Sequence, residues 1–163
     1  MLGPIKKGRR VPPATLAELV GGAVRPVGTE QLLAGKRSLI IGVPGAFTPI
    51  CHQVHLPDFV AMADQFRAAG FQQLLVIAAS DPFATAAWSS TIDPEGRLRF
   101  LSDGNLELTR KLGLTSQEPA LFLGERSRRY TMVVQDAVVE RLNVETSVLN
   151  VTCTRADVVE LAV

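Results

Sequence analysis

From residue 36 onward, apolar and polar positions fall into regular blocks. Ser38–Val43 (SLIIGV) is a short apolar run ended by Pro44-Gly45, which predicts a buried strand followed by a break. Phe59, Met62, Ala63, Phe66 and Ala69 then recur at helical spacing, with Gly70 at the stop, so Asp58–Ala69 reads as an amphipathic helix. Gln72–Ala79 (QQLLVIAA) predicts a second buried strand, and Asp81-Pro82 opens a helical stretch through Trp88. Arg97–Leu101 is a strand candidate, a helix from about Asn105 to Leu112 is ended by Gly113, and Ala120–Leu123 reads as a short strand. Tyr130–Gln135 and Val138–Leu142 alternate around Asp136-Ala137 as a hairpin does, and Thr154 stands where it would cap a last helix, Arg155–Ala162. Ahead of these blocks, Pro4, Pro12 and Pro13 favour extended backbone in a basic stretch (Lys6, Lys7, Arg9, Arg10) that reads as a solvated lead-in. Strands alternating with helices, closed by a hairpin and a helix, predict one α/β domain over residues 1–163 with a mixed central sheet flanked by helices.

The length of 163 residues is enough to bury about two-thirds of the unfolded surface without metal or disulfide support. A net charge of +1 argues against a nucleic-acid binder, which carries a basic stripe. No apolar run approaches the roughly 18 residues of a membrane span, and no targeting pattern stands at the N-terminus, so the expected location is cytoplasmic. Two cysteines exclude a disulfide-dense scaffold and a four-cysteine zinc site.

The most informative segment runs from Val43 to Val60, VPGAFTPICHQVHLPDFV. Thr48 is a good N-cap and Pro49 suits the first helical position, which sets Cys51 at the third. There a side chain faces free backbone N–H groups and the positive end of the helix, and both favour a thiolate. Pro57 interrupts the helix, leaves the Gln53 carbonyl without its usual partner and predicts a kink. On these residues alone two readings stand open: an activated thiol, or a small buried hydrophobe. Cys51 and His55, at i and i+4, also have the spacing of half a metal site, but Pro57 and the lack of further spaced ligands count against it. His52 reads as a surface residue.

The same string resembles the active-site motif of the peroxiredoxins, in particular the type II or atypical two-cysteine group. Ser80-Asp81-Pro82-Phe83 with Trp88 is similar to that group's NDPF…W segment, Arg129–Asp136 (RYTMVVQD) to its RFSMVVQDG strand, and Leu142–Glu145 to its LNVE. The resemblance covers about residues 5–161. It implies a thioredoxin-like fold and a thiol peroxidase in which Cys51 attacks a peroxide, becomes a sulfenic acid and expels water or an alcohol. It also implies that Thr48 and the Cys51 amide hold the peroxide, that Arg129 supports the thiolate and the developing charge, that Pro44 shields the sulfur and that His55 orders the site. The attacking sulfur is expected to be partly exposed. This chain is one residue shorter than the group just before the Arg129 strand, so Arg128 competes with Arg129 for that role.

Cys153 has two readings. The strand before Ser80 lacks the resolving cysteine of many members, but Asn150–Thr154 (NVTCT) resembles the LTC segment that supplies it in the animal-type branch. Cys153 then resolves Cys51 as an intramolecular disulfide, reset by thioredoxin. Otherwise Cys153 is incidental, and a one-cysteine enzyme is reset by glutathione or glutaredoxin, or acts as a peroxide-sensing relay. The resemblance implies no metal or other cofactor and suggests a homodimer.

Overall fold

The structure, a computed structural model, describes residues 3–161. Its centre is a seven-stranded mixed sheet in the order β2-β1-β5-β4-β3-β8-β9. These strands are β1 (Thr15–Val20), β2 (Ala23–Gly28), β3 (Arg37–Val43), β4 (Gln73–Ala78), β5 (Arg99–Ser102), β8 (Tyr130–Gln135) and β9 (Val138–Val144). β3, β4 and β5 run parallel, as strands joined by helical crossovers must, and the outer pairs are antiparallel. The helices are α1 (Thr29–Leu33), α2 (Leu56–Ala61), α3 (Ala63–Ala68), α4 (Pro82–Ile92), α5 (Glu107–Leu112) and α6 (Ala156–Leu161).

Strand alternation sorts the core into two layers. Leu39, Ile41 and Val43 join Leu74, Val76 and Ala78 against Phe59, Phe66 and Trp88, while Ile40, Leu75 and Ile77 pack with Met132, Leu16, Leu108 and Leu112 on the other face. Both faces of β3 and β4 are therefore covered, which is why these runs read as continuously apolar.

The predicted strands and helices of the central region form, with several differences. The first hairpin, β1–β2, lies in the stretch before residue 36 that shows no clear period; its outer strand is largely exposed and so carries little apolar signal. The lead-in is not simply solvated. Ile5 donates its N–H to the Leu112 carbonyl, Gly8 and Val11 donate to Val139 and Ala137, and the Ile5 and Val11 side chains are buried. Ala120–Leu123 forms no strand: Pro119–Leu121 is a 3-10 turn, and Phe122, at φ 54° and 94% exposed, ends it. The short strands there flank it instead, β6 (Thr115–Gln117) pairing antiparallel with β7 (Glu125–Ser127). The Asp58–Ala69 helix is broken into α2 and α3 at Met62. Thr154 does not cap α6; its amide and hydroxyl go to the Glu145 carboxylate, and the predicted end at Ala162 lies outside the described residues.

Candidate active site

β3 delivers the chain to the carboxyl end of the parallel strands, where open α/β sheets bind ligands. The turn that follows is fixed from several sides. Ser80 Oγ accepts from the Ala46 amide, and Phe47 takes a left-handed φ of 60°. Arg126 Nη1 donates to the carbonyls of Pro44 (3.4 Å) and Ala79 (2.9 Å), while its Nε holds the Leu123 carbonyl. Gly45 leaves room for that guanidinium; a Cβ there would stand 2.6 Å from Arg126 Nη1.

The helix begins at Pro49, and its first backbone bond runs from His52 N–H to the Thr48 carbonyl at 3.0 Å. Cys51 is thus the third helical residue, and its amide is among the donors a helix start leaves without an intrahelical partner. The Thr48 hydroxyl does not close the cap by accepting; it donates to the Gly45 carbonyl at 2.9 Å, which leaves its oxygen lone pairs as acceptors. From Cys51 to His55 the backbone is π-helical, with Leu56 N–H bonded back to the Cys51 carbonyl. This wider turn is how the chain accommodates Pro57, in place of a simple kink.

Arg129, just ahead of β8, reaches back under this turn. Its Nη1 donates to Cys51 Sγ at 2.9 Å and to His55 Nδ1 at 3.2 Å, and its Nη2 donates to the Val148 carbonyl at 2.7 Å. His55 Nε2 lies 2.9 Å from the Thr154 carbonyl, which can only accept, so Nε2 carries the ring hydrogen and Nδ1 is the acceptor for Arg129. Burial, then the adjacent Arg129 charge, push the His55 pKa down to about 3 from 6.5. His55 is therefore neutral at physiological pH. Because the unfolded chain binds this proton first, His55 lowers stability as pH falls from 6.5 toward 3. The expected loss is about 2 kcal/mol by pH 5. Urea unfolding of wild type and His55→Gln at pH 7 and 5 checks this; the variant should lose less on acidification.

Arg129 is 1% exposed, and Cys51, Pro44 and Thr48 have distinct places around it. Pro44, Thr48, Pro49, Ile50, Leu121, Leu123, Arg129, Val148 and Leu149 line an apolar cavity of about 250 Å3. Cys51 has no exposure, against the expected partial exposure: the first turn points the sulfur inward, into the core layer and onto Arg129. Arg128, the competing neighbour, is elsewhere, since its Nη2 holds the Glu145 carbonyl.

A fully buried guanidinium needs an anion nearby. The hydrogen-bond partners of Arg129 are two ring or backbone acceptors and the sulfur, with no carboxylate among them, and its Nε has no partner among the described residues. Among the described residues, the Cys51 sulfur is thus the one hydrogen-bond partner of this guanidinium that is neither a ring nitrogen nor a backbone carbonyl.

The structure does not bring Cys153 to Cys51. Both thiols are free, and Cys153 Sγ donates to the Val144 carbonyl at 3.5 Å. Burial, then the Glu145 carboxylate, push the Cys153 thiol up. His52 is not plain surface: its Nδ1 accepts from the Trp88 indole N–H at 3.1 Å. Arg126, Ser80 and Glu145 were not assigned by sequence, because their roles depend on backbone groups that only the fold brings near.

Residues 6–160 match the family described as Redoxin. The chain is 40% identical over 145 residues to Peroxiredoxin-2E, chloroplastic, of Arabidopsis thaliana, covering 86% of this chain and 62% of that protein. It is 34% identical over 145 residues to Peroxiredoxin-2B of the same plant, covering 88% and 90%. The chain thus spans less than two-thirds of the length of the chloroplastic relative. The crystal structure of reduced Prx3 from Vibrio vulnificus in complex with hydrogen peroxide superposes with a TM-score of 0.91 at 34% identity, covering 97% of this chain and 98% of that one.

Proposed function

This chain belongs to the redoxin family, as a peroxiredoxin of the type II group with a thioredoxin-like fold, and from that membership we propose that it is a thiol peroxidase with Cys51 as the attacking residue. The observation that carries the reading is the Arg129 guanidinium, buried without a carboxylate and donating to Cys51 Sγ at 2.9 Å. The thiolate attacks one peroxide oxygen, the O–O bond breaks, and the other oxygen leaves as water or an alcohol after taking a proton. Cys51 is left as a sulfenic acid. Arg129 stabilises the thiolate beforehand and the charge growing on the leaving oxygen. Its unpartnered Nε is a buried donor on a residue that lines the cavity. Thr48 Oγ, whose hydrogen is committed to Gly45, takes part as an acceptor from the peroxide O–H. Pro44 forms part of the apolar wall that limits water beside the reacting atoms. No metal or organic cofactor enters this chemistry.

Thr48→Val keeps the size and removes that acceptor, so peroxide reduction should slow by at least about tenfold with little change in stability. Stopped-flow oxidation and urea unfolding of the same variant separate the two effects. An unchanged rate would remove Thr48 from the site.

In this reading the sulfenic acid is resolved by Cys153 within one chain, and thioredoxin resets the bridge. The NVTCT segment and the half-buried position of Cys153 next to the Glu145–Thr154 loop support it. Exposed Phe47, Phe83, Phe122 and Leu149 supply apolar surface for a homodimer, which sedimentation velocity tests. The functional test is peroxide turnover by wild type, Cys51→Ser and Cys153→Ser with thioredoxin or with glutathione and glutaredoxin. Cys51→Ser should be inactive with both. Cys153→Ser should lose turnover with thioredoxin; normal turnover there favours the one-cysteine reading.

A further inference from the structure

The segment that carries Cys153 is held by more than its own backbone. The Glu145 carboxylate, 2% exposed at the end of the hairpin, accepts four hydrogen bonds from this segment. Oε1 takes the Thr152 and Thr154 amides and the Thr154 hydroxyl, and Oε2 takes the Thr152 hydroxyl. These two residues flank Cys153, whose thiol meanwhile points at the Val144 carbonyl. Burial by itself would raise the Glu145 carboxyl, but the four donors outweigh it and hold the group below the usual carboxylate range. Two further pins come from the peroxide site: Arg129 Nη2 on the Val148 carbonyl and His55 Nε2 on the Thr154 carbonyl. Arg128 holds the backbone carbonyl of Glu145 itself.

We infer that Glu145 is a positioning residue whose carboxylate clamps Thr152 and Thr154, and that release of this clamp governs the reactivity of Cys153. In its resolving role the inference rests on the assignment of Cys153 proposed above. The resolving step is balanced without any further reagent. The Cys153 sulfur attacks the Cys51 sulfur, the S–O bond of the sulfenic acid breaks, the S–S bond forms, and the hydroxyl leaves as water with the Cys153 proton. Since the thiols of the reduced protein are not joined and each has a different hydrogen-bond partner, this step requires the Cys153 segment or the Cys51 turn to move. The Glu145 carboxylate directs its hydrogen bonds to Thr152 and Thr154 and none to Cys51, Arg129 or His55, although its backbone N–H donates to the Arg129 carbonyl. Hydrogen bonds to an ionised acceptor are roughly twice as strong as neutral ones, so removing the charge while keeping the shape should loosen the clamp.

The test uses the full-length chain with Glu145→Gln and, separately, Thr152→Val. In a Cys51→Ser background, alkylation of Cys153 by iodoacetamide should become at least about tenfold faster in both variants. In Glu145→Gln its pH profile should also move to lower pH, and further than in Thr152→Val, because the repelling charge next to the thiol is lost in addition to its burial. With Cys51 present and one equivalent of hydrogen peroxide, sulfenic acid formation should stay within about twofold of wild type while the Cys51–Cys153 bridge forms faster. Unchanged alkylation and unchanged bridge formation in both variants would overturn the inference. Faster alkylation with no bridge even in wild type would leave the clamp standing and sink the resolving assignment.

Discussion

Arg129→Ala is expected to slow the reaction with hydrogen peroxide by about 10²–10³, the usual cost of one aimed donor in such a site. Three interactions vanish together: the donor to Cys51 Sγ, the partner of His55 Nδ1 and the clasp on the Val148 carbonyl. The buried cation that favours the thiolate goes with them. Arg129→Lys should recover only part of the rate, since a single ammonium cannot reach the sulfur and the Val148 carbonyl in a fixed fork. Arg128→Ala, whose side chain holds the Glu145 carbonyl, should stay within about twofold of wild type in the peroxide step. The chain's one tryptophan, Trp88, donates to His52 beside Cys51, so stopped-flow fluorescence can follow all three variants. A silent Arg129→Ala with a crippled Arg128→Ala would contradict the site as drawn.

Gly42→Ala should be the most damaging small substitution in the sheet. Gly42 lies in β3 opposite Tyr130 of β8, and a Cβ there would fall 2.0 Å from Tyr130 Cε1, 2.3 Å from Cζ and 2.4 Å from Cδ1. The obstacle is the body of a fully buried ring, not a flexible chain end, so the ring must leave its place or the strands must part. Overpacking of this kind costs about 3 kcal/mol. Tyr130 adjoins Arg129 and Gly42 adjoins the Val43–Pro44 exit, so peroxide reduction should fall as well. Urea unfolding of the reduced protein measures the stability change. A loss below about 0.5 kcal/mol would show that the ring is freer than its packing implies.

The strands that build the floor of the site were legible because β3 and β4 are buried on both faces and read as unbroken apolar runs. The Thr48-Pro49 start of the helix was legible for a similar local reason: cap and proline preferences act within a few residues. What was not legible depends on distance along the chain. Nothing near Phe122 announces that its segment is a turn with an exposed ring, because a short apolar run reads the same as a strand until its partner is known. The β1–β2 hairpin was missed since an exposed edge strand has no apolar alternation to show. Spacing within the motif selected Arg129 over its neighbours, but only the fold reveals that Arg126 and Arg128 each serve backbone carbonyls. Thr154 illustrates competition: a good cap residue by type, it is taken by a carboxylate nine residues earlier.

The central claim is that Cys51, held by Arg129, is the thiol that peroxide oxidises. Reduced Cys153→Ser and Cys51→Ser chains, each mixed with one equivalent of hydrogen peroxide and trapped with dimedone, test it by peptide mass spectrometry. The expected result is a dimedone adduct on Cys51 in the first chain, and neither adduct nor peroxide loss in the second. Peroxide consumption by Cys51→Ser at the wild-type rate, or an adduct on Cys153 with Cys51 unmodified in wild type, would contradict it.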